Sequence, residues 1–525
     1  MQTPLDAMAA TPLDVLIVGG GIAGAASARE AALRGLRVGL VEARDFGAGT
    51  SGATTRLAHG GLRYLEQGDL AQVREGLRER AWLLRAAPHL VRPLPFLLPI
   101  QAGRLGLEVQ LRAGLALYDG LAPAGLPHHR FVRGDEARRL EPRLRSDAAR
   151  LAASFQDAQI LHPERLVLEF ALAAARAGAA VANHAGVEGL ARDAEGWRAS
   201  VRDARTDRAV DVRARVVLNC AGPWVSQLAG LAGVRRPLAR TTRGTHVAFP
   251  NFLQQALVLR ARDGRTFFAI PWNEVALVGT TDLDDAGDPA SVAATAEEVR
   301  YLLDEAGDFL DLEGLAPCYT TAGVRAMLRV EGVAPGAVPR SHAILPHDAD
   351  GCPGLLSVIG GKLTTARAVA QDAVDAACKA LGRARPRAPD TPLPGAGAEV
   401  AGALSDLPLG EVLQVGLGLL GDRALAAAVE GPVLCERHAT RGWVRLAVRE
   451  EWCSTLPDMM LRRTLAGHAP DLGAHCAEDL AKAMGELLGW DPAERSAQME
   501  AWAREAERRR AGLASDGGEA KPKVI

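Results

Sequence analysis

The stretch LDVLIVGGGIAGAASAREAALRGLRVGLVE, residues 13–42, decides the fold. LDVLIV is a short, β-branched apolar run and predicts a buried parallel strand. Gly19, Gly21 and Gly24 follow as GxGxxG and open an alanine-rich helical pattern that closes near Arg34 and Gly35. LRVGLVE then predicts a second strand, ending in the acid Glu42. Strand, glycine turn, helix, strand and terminal acid make a dinucleotide-binding βαβ unit of about 30 residues. Its first glycine permits the tight turn, the second lets the backbone approach a pyrophosphate, and the third lets helix pack on strand. The helix N-terminus offers free N–H groups and a positive dipole end to the phosphates. Glu42 is placed to accept hydrogen bonds from an adenosine ribose, which favours FAD or NAD over NADP.

Further along, RLVLEFALAAARAG (165–178) predicts a helix, and DVRARVVLNCAG (211–222) a buried strand running into a glycine turn. From 244 to 282 the pattern becomes short alternating runs, THVAFP, RTFFAIPW and VALVGTTD, which predict antiparallel strands of an inserted sheet. LLSVIGGKLTTARAVAQDAVDAACKALG (355–382) predicts a further strand and helix. The expected class is α/β: a Rossmann-type FAD-binding domain with an inserted, mostly antiparallel substrate-domain sheet, plus a C-terminal all-α domain. Residues 13–100, 150–235 and 341–382 are assigned to the FAD-binding domain, and 101–149 and 236–340 to the substrate-binding cap. A Pro/Gly-rich linker is expected at 383–399, a helical domain at 400–512 and a disordered tail at 513–525.

The chain has 525 residues, with 61 Lys+Arg against 63 Asp+Glu, a net charge of −2 and 48% hydrophobic content. That length suits roughly three domains, and the hydrophobic content excludes wholesale disorder. The near-neutral balance excludes a nucleic-acid binder that relies on an overall basic surface. Only five of the basic residues are lysine, and Lys362 is the sole lysine in the first 378 positions. Seven cysteines, at 220, 318, 352, 378, 435, 453 and 476, form no close CxxC pair. They match neither a zinc site nor a disulfide framework, so reduced thiols and no metal ligands are expected. The N-terminal stretch MQTPLDAMAATPLDVLIV lacks a basic n-region, and no uncharged apolar run is long enough to span a bilayer.

The loop GAGTSGATTRLAHGGLRYLEQGD (47–69) replaces the next crossover that a nicotinamide domain would continue with. Small residues and hydroxyls there suit a loop wrapped around a phosphate and a flat ring, which favours FAD. In order, LIVGGGIAG, HGGLRYLEQGD, APHLVRPLPFLLP, NCAGPW, RGTHVAFP, IPWNEVALVGTTD, GVRAM and SVIGGKLTTAR resemble the FAD-dependent glycerol-3-phosphate dehydrogenases of the aerobic, quinone-linked type. The likeness runs from about residue 13 to 382, and EEWCSTLPDMMLRRTLAG extends it into the C-terminal part. Departures from the family pattern include Thr50–Arg56 in the first loop and GVRAM where GVRPL is commoner.

The resemblance implies oxidation of sn-glycerol 3-phosphate to dihydroxyacetone phosphate, with electrons leaving FAD for a membrane quinone. It places Arg63, Tyr64, Arg340 and Lys362 at the substrate, with Arg325 in GVRAM stabilising charge on the substrate oxygen. Removing the hydroxyl proton needs a base, for which His246 in RGTH is the first choice and His59 the second. Thr50, Ser51, His59 and Gly60 in the first loop, Gly222 in NCAGPW, and Gly361, Leu363 and Thr364 in GGKLTT complete the expected cofactor contacts. An oxidase passing electrons to oxygen and a non-catalytic flavin redox sensor are the alternative readings. Residues 88–118, with Arg92, Arg104 and Arg112, are a candidate monotopic patch for an anionic membrane surface. A cytoplasmic protein held at the inner face of the cell membrane is expected, and assembly as a homodimer is left open.

Overall fold

A computed structural model describes residues 3–61, 64–65, 68–100, 105–123, 125–148, 150–329, 341–384, 386–397, 411–424 and 431–513. The Leu13–Val18 strand sits in an eight-stranded sheet. Its neighbours on the two sides are Ala209–Asn219 and Val38–Val41, both parallel to it. Leu355–Ile359 extends the parallel array beyond Ala209–Asn219, and Ala180–Ala182 beyond Val38–Val41. All six residues of Leu13–Val18 are buried, as a strand covered on both faces requires; five are apolar, and Asp14 accepts from the Arg37 N–H at 2.9 Å. The Ile22–Leu33 helix packs on this sheet beside the Pro163–Arg176 and Ala366–Leu381 helices. Ala25, Ala28 and Ala31 at its interface let the helices approach closely. The helices expected over 165–178 and after 361 and the strands expected at 211–222 and 355–359 are all present.

The second sheet has ten strands. Ala239–Pro250 is its longest strand, one in from an edge, pairing antiparallel with Val275–Gly279 on one side and with the edge strand Tyr319–Leu328 on the other. This is the inserted antiparallel sheet expected from 244–282. Val91–Ile100 and Leu151–Ile160, assigned from sequence to FAD-binding segments, pair with each other in this sheet instead. Pro93, Pro95 and Pro99 share one parity, so their missing N–H groups fall on one edge of the strand. Its other neighbour, Ala256–Arg260, pairs only at Phe96 and Leu97. The candidate membrane patch is therefore wrong for 88–100, where Val91, Leu94, Phe96, Leu97 and Ile100 are core. Arg104 lies outside the described residues. Arg112 belongs to the Leu105–Leu121 helix, pairs with Glu108 and stacks on Phe131, while Val109 and Leu117 of that helix face outward.

The C-terminal part carries the Glu411–Leu420, Arg441–Glu450, Ala477–Leu488 and Pro492–Arg508 helices. It is not purely helical: Val433–Cys435 and Ala439–Thr440 form a two-stranded ribbon. Its Trp443, Met459 and Leu480 share one apolar core with Val15, Ile17 and Phe170 of the nucleotide-binding part. The stretch read as a linker is tied down where it is described. Trp82 Nε1 donates to Asp390 at 2.6 Å, Arg29 donates to the Thr391 hydroxyl at 2.8 Å, and Leu393 is buried. The tail beyond Leu513 lies outside the described residues. The expectation of seven unpaired thiols fails at one pair, Cys435 and Cys476, joined as a disulfide across 41 residues of chain. No helix among the described residues is long and apolar enough to cross a membrane.

Candidate active site

The two sheets enclose a cavity of about 740 Å³. One end is the glycine turn. Gly19 has a φ of +109°, and a Cβ there would stand 2.5 Å from the Cys220 carbonyl oxygen. A Cβ on Gly24 would stand 1.8 Å from the Gly19 oxygen, so Gly24 sets the helix against the turn and does not itself line the cavity. Gly21 lines it, at the N-terminus of the Ile22–Leu33 helix, and the Ser51 hydroxyl accepts from the Ile22 N–H at 3.0 Å. Glu42 accepts from the Gly20 and Arg44 N–H groups at 2.6 and 2.8 Å. Burial nevertheless pushes its carboxyl above the ordinary carboxylate range, despite those two bonds. Arg44 stacks on Trp224, its guanidinium 5.1 Å from the ring centroid, and both line the cavity.

The other end is made by the ten-stranded sheet and the GGKLTT turn. His246 stands on Ala239–Pro250, opposite Gly279 and Thr321. A Cβ on Gly279 would lie 2.6 Å from His246 Cδ2, so the glycine of VGTTD is what makes room for the ring. Gly244 does the same for Arg325: a Cβ there would lie 2.2 Å from Nη2. Thr55 Oγ1 and His246 Nε2 are 3.0 Å apart, while Nδ1 is buried and has no hydrogen-bond partner among the described residues. Burial, with the positive charges of Arg325 and Arg56, lowers the pKa of His246 to about 3, so the resting ring is neutral. Arg325 donates to the Thr280 hydroxyl at 3.1 Å and to Asp282 at 3.2 Å.

Lys362 lies at the turn, its Nζ 3.0 Å from Gln72 Oε1 and 3.7 Å from the centroid of the Tyr64 ring. Gly360 and Gly361 have φ of +73° and +89°, a left-handed pair that lets the chain reverse between strand and helix. Thr50, His59, Tyr64, Gly222, Leu363 and Thr364 also line the cavity. Burial holds His59 below the ordinary histidine value, with the charges of Lys362 and Arg80 acting in the same direction. Gly60 does not line the cavity: its N–H bonds the Tyr118 hydroxyl at 2.9 Å, and a Cβ would strike Leu77. Arg63 and Arg340 lie outside the described residues. Sequence reasoning did not select Thr55, Arg44 and Trp224 as site residues. Thr55 lay inside the hydroxyl-rich loop, Arg44 two places after Glu42, and Trp224 at the end of NCAGPW.

A nucleotide turn, a helix N-terminus aimed into a long cavity, a ribose-side acid and an inserted sheet carrying polar side chains at the far end fit a bound FAD. They define a flavoprotein oxidoreductase. The family described as "FAD dependent oxidoreductase" matches residues 14–372. A glycerol-3-phosphate dehydrogenase of Synechocystis is 34% identical, over 91% of this chain and 94% of that protein. The aerobic glycerol-3-phosphate dehydrogenase of Escherichia coli is 35% identical, over 69% of this chain and 72% of its own. The crystal structure of a Bacillus halodurans glycerol-3-phosphate dehydrogenase complexed with FAD covers 98% of both chains, at 25% identity and a TM-score of 0.79. The chain belongs to the FAD-dependent glycerol-3-phosphate dehydrogenase family, and its cofactor is FAD.

Proposed function

We propose that the protein oxidises sn-glycerol 3-phosphate to dihydroxyacetone phosphate and hands the electrons to a membrane quinone. The observation that carries this is the convergence of neutral His246, Arg325 and Lys362 on the cavity that begins at the FAD-binding turn. Two cations from different chain segments suit a small phosphate dianion and the charge that develops on its C2 oxygen. The C2 hydroxyl proton goes to His246. Thr55 Oγ1 lies 3.0 Å from Nε2 of that ring and orients it, while Nδ1 is buried. FAD, held by the Gly19–Gly21 turn, Glu42 and the GGKLTT turn, would supply the two-electron acceptor for the oxidation at C2. Gly244 and Gly279 keep Arg325 and His246 in place, and Tyr64 steadies the Lys362 ammonium through its ring face. Arg63 and Arg340 are proposed as further phosphate contacts on the family resemblance alone.

The test is anaerobic bleaching of the bound flavin by glycerol 3-phosphate, with lactate, amino acids and 2-hydroxyglutarate as controls. Bleaching by the controls alone would overturn the substrate. Quinone reduction exceeding peroxide yield is expected with the same substrate, and the reverse would make the protein an oxidase. Peripheral attachment to the inner face of the membrane is supported by outward-facing Val109 and Leu117. Co-sedimentation with anionic vesicles checks it.

A further inference from the structure

Outside the flavin cavity the chain assembles a second cluster with a different chemistry. Cys435 ends one strand of the C-terminal ribbon, and the chain turns at once through Glu436 and Arg437 to His438. The His438 N–H bonds the Cys435 carbonyl at 3.0 Å, and Arg437 takes a left-handed φ of +68°, so CERH is a tight knuckle. Cys476 stands at the N-cap of the Ala477–Leu488 helix, with His475 before it. The Cys435 and Cys476 sulfurs and a ring nitrogen of His475 lie within 4.8 Å of one another.

The surrounding groups are arranged as supports for a metal-binding set. Asp471 Oδ2 lies 2.6 Å from His475 Nδ1, and Nε2 of the same ring faces the Cys435 sulfur at 3.4 Å. A carboxylate holding one imidazole nitrogen fixes the tautomer that leaves the other free to ligate. The His438 ring centroid is 6.3 Å from that of His475. His438 is only 4% exposed, and its Nδ1 is buried with no hydrogen-bond partner among the described residues. In the disulfide-joined state seen here, the His438 Nδ1 is left unsatisfied and the Asp471-oriented His475 ring is aimed at a sulfur with which it cannot share a metal.

We propose that, with both thiols reduced, Cys435, His475 and Cys476 hold a structural zinc ion, with His438 turning in from beside Glu274 as the fourth ligand. Two thiolates and two imidazoles, delivered by a ribbon knuckle and a helix N-terminus, are a closed S₂N₂ set of the kind a soft, tetrahedral divalent cation takes. The ion joins the ribbon to the Ala477–Leu488 helix. Because Arg437 donates to Glu274 at 3.3 Å, it also anchors the C-terminal part on the 272–275 turn of the ten-stranded sheet. Binding releases the two thiol protons and needs no electron transfer.

The full-length FAD-loaded protein, isolated with a thiol reductant and without chelator, should carry about one zinc per chain by elemental analysis. The double variant C435S/C476S should retain less than about a tenth of that, and H438Q should lose zinc to a chelator at least about tenfold faster than the parent. Flavin content reports whether each variant has folded. Should the variants fail to fold, cobalt loaded into the parent protein decides: thiolate-to-cobalt charge-transfer and tetrahedral d–d bands are expected. No stoichiometric metal and no thiolate–cobalt band in the reduced parent would overturn the site. So would zinc content unchanged in a folded C435S/C476S variant. Recovery of the Cys435–Cys476 disulfide from protein kept under reductant throughout would likewise overturn it.

Discussion

Arg463 and Asp45, 418 residues apart in the chain, meet as a buried forked ion pair, with Nη1 to Oδ2 at 2.8 Å and Nη2 to Oδ1 at 3.0 Å. Asp45 lies three residues beyond Glu42, and Arg463 belongs to the MMLRR turn of the C-terminal part. Arg462 adds a second contact to Asp45, and Asn183 a third. The C-terminal part thus holds the loop that follows the ribose-side acid.

Removing Arg463 leaves Asp45 buried beside one remaining cation. Arg463→Ala should destabilise the protein by about 3–5 kcal/mol, the usual consequence of breaking a buried pair from one side. Chemical denaturation measures the loss. Faster FAD release at a temperature where the variant is still folded is the accompanying result; unchanged release would show that the pair does not support the cofactor loop.

Gly244→Ala drives a methyl group into Arg325 and Thr280. The FAD spectrum should survive while kcat/KM falls about tenfold to a hundredfold, since the displaced guanidinium forfeits a charge-assisted contact worth about 1.5–3 kcal/mol. Steady-state kinetics with glycerol 3-phosphate decides it.

Lys362 is kept as lysine in a chain whose other basic residues are nearly all arginine. Its ammonium fits between Gln72 and the Tyr64 ring face, a space for a compact point charge and not for a planar fork. Lys362→Arg should raise KM about tenfold with the flavin still bound, a change of about 1.4 kcal/mol. An unchanged KM would return the lysine to accident of composition.

Acid should weaken the fold earlier than its carboxylates alone would. Burial lowers His246 and His89 to about 3, and His162 to about 4, against about 6.5 for an unfolded histidine. Between those values the unfolded chain binds protons that the folded one does not. Stability therefore falls as pH drops below about 6.5 and gains nothing from these groups above it. Thermal denaturation across that range checks the slope. His89→Leu should shallow it, because both His89 nitrogens are buried with no hydrogen-bond partner among the described residues.

The nucleotide end of the site was legible because its parts are neighbours in sequence. Gly19, Gly21, Gly24 and Glu42 belong to one βαβ unit whose hydrophobic period and glycine spacing are local properties. His246 and Arg325 were reached through their motifs, but the glycines that make room for them, Gly279 and Gly244, act across strand pairs and carry no local mark. Val91–Ile100 was misplaced for a related reason. An apolar run rich in proline reads the same whether it covers a membrane face or lies inside a sheet, and only its pairing with Leu151–Ile160 separates the two.

By itself the sequence determined the class of fold, the FAD-binding turn and the chemistry of the candidate residues, all set by short-range periodicity and side-chain type. Tertiary structure alone decided which distant groups meet. It joined Asp45 to Arg463, set Thr55 beside His246, and brought Cys435 and His438 to His475 and Cys476. Such encounters depend on how strands and helices pack around a shared core, and spacing along the chain does not encode them.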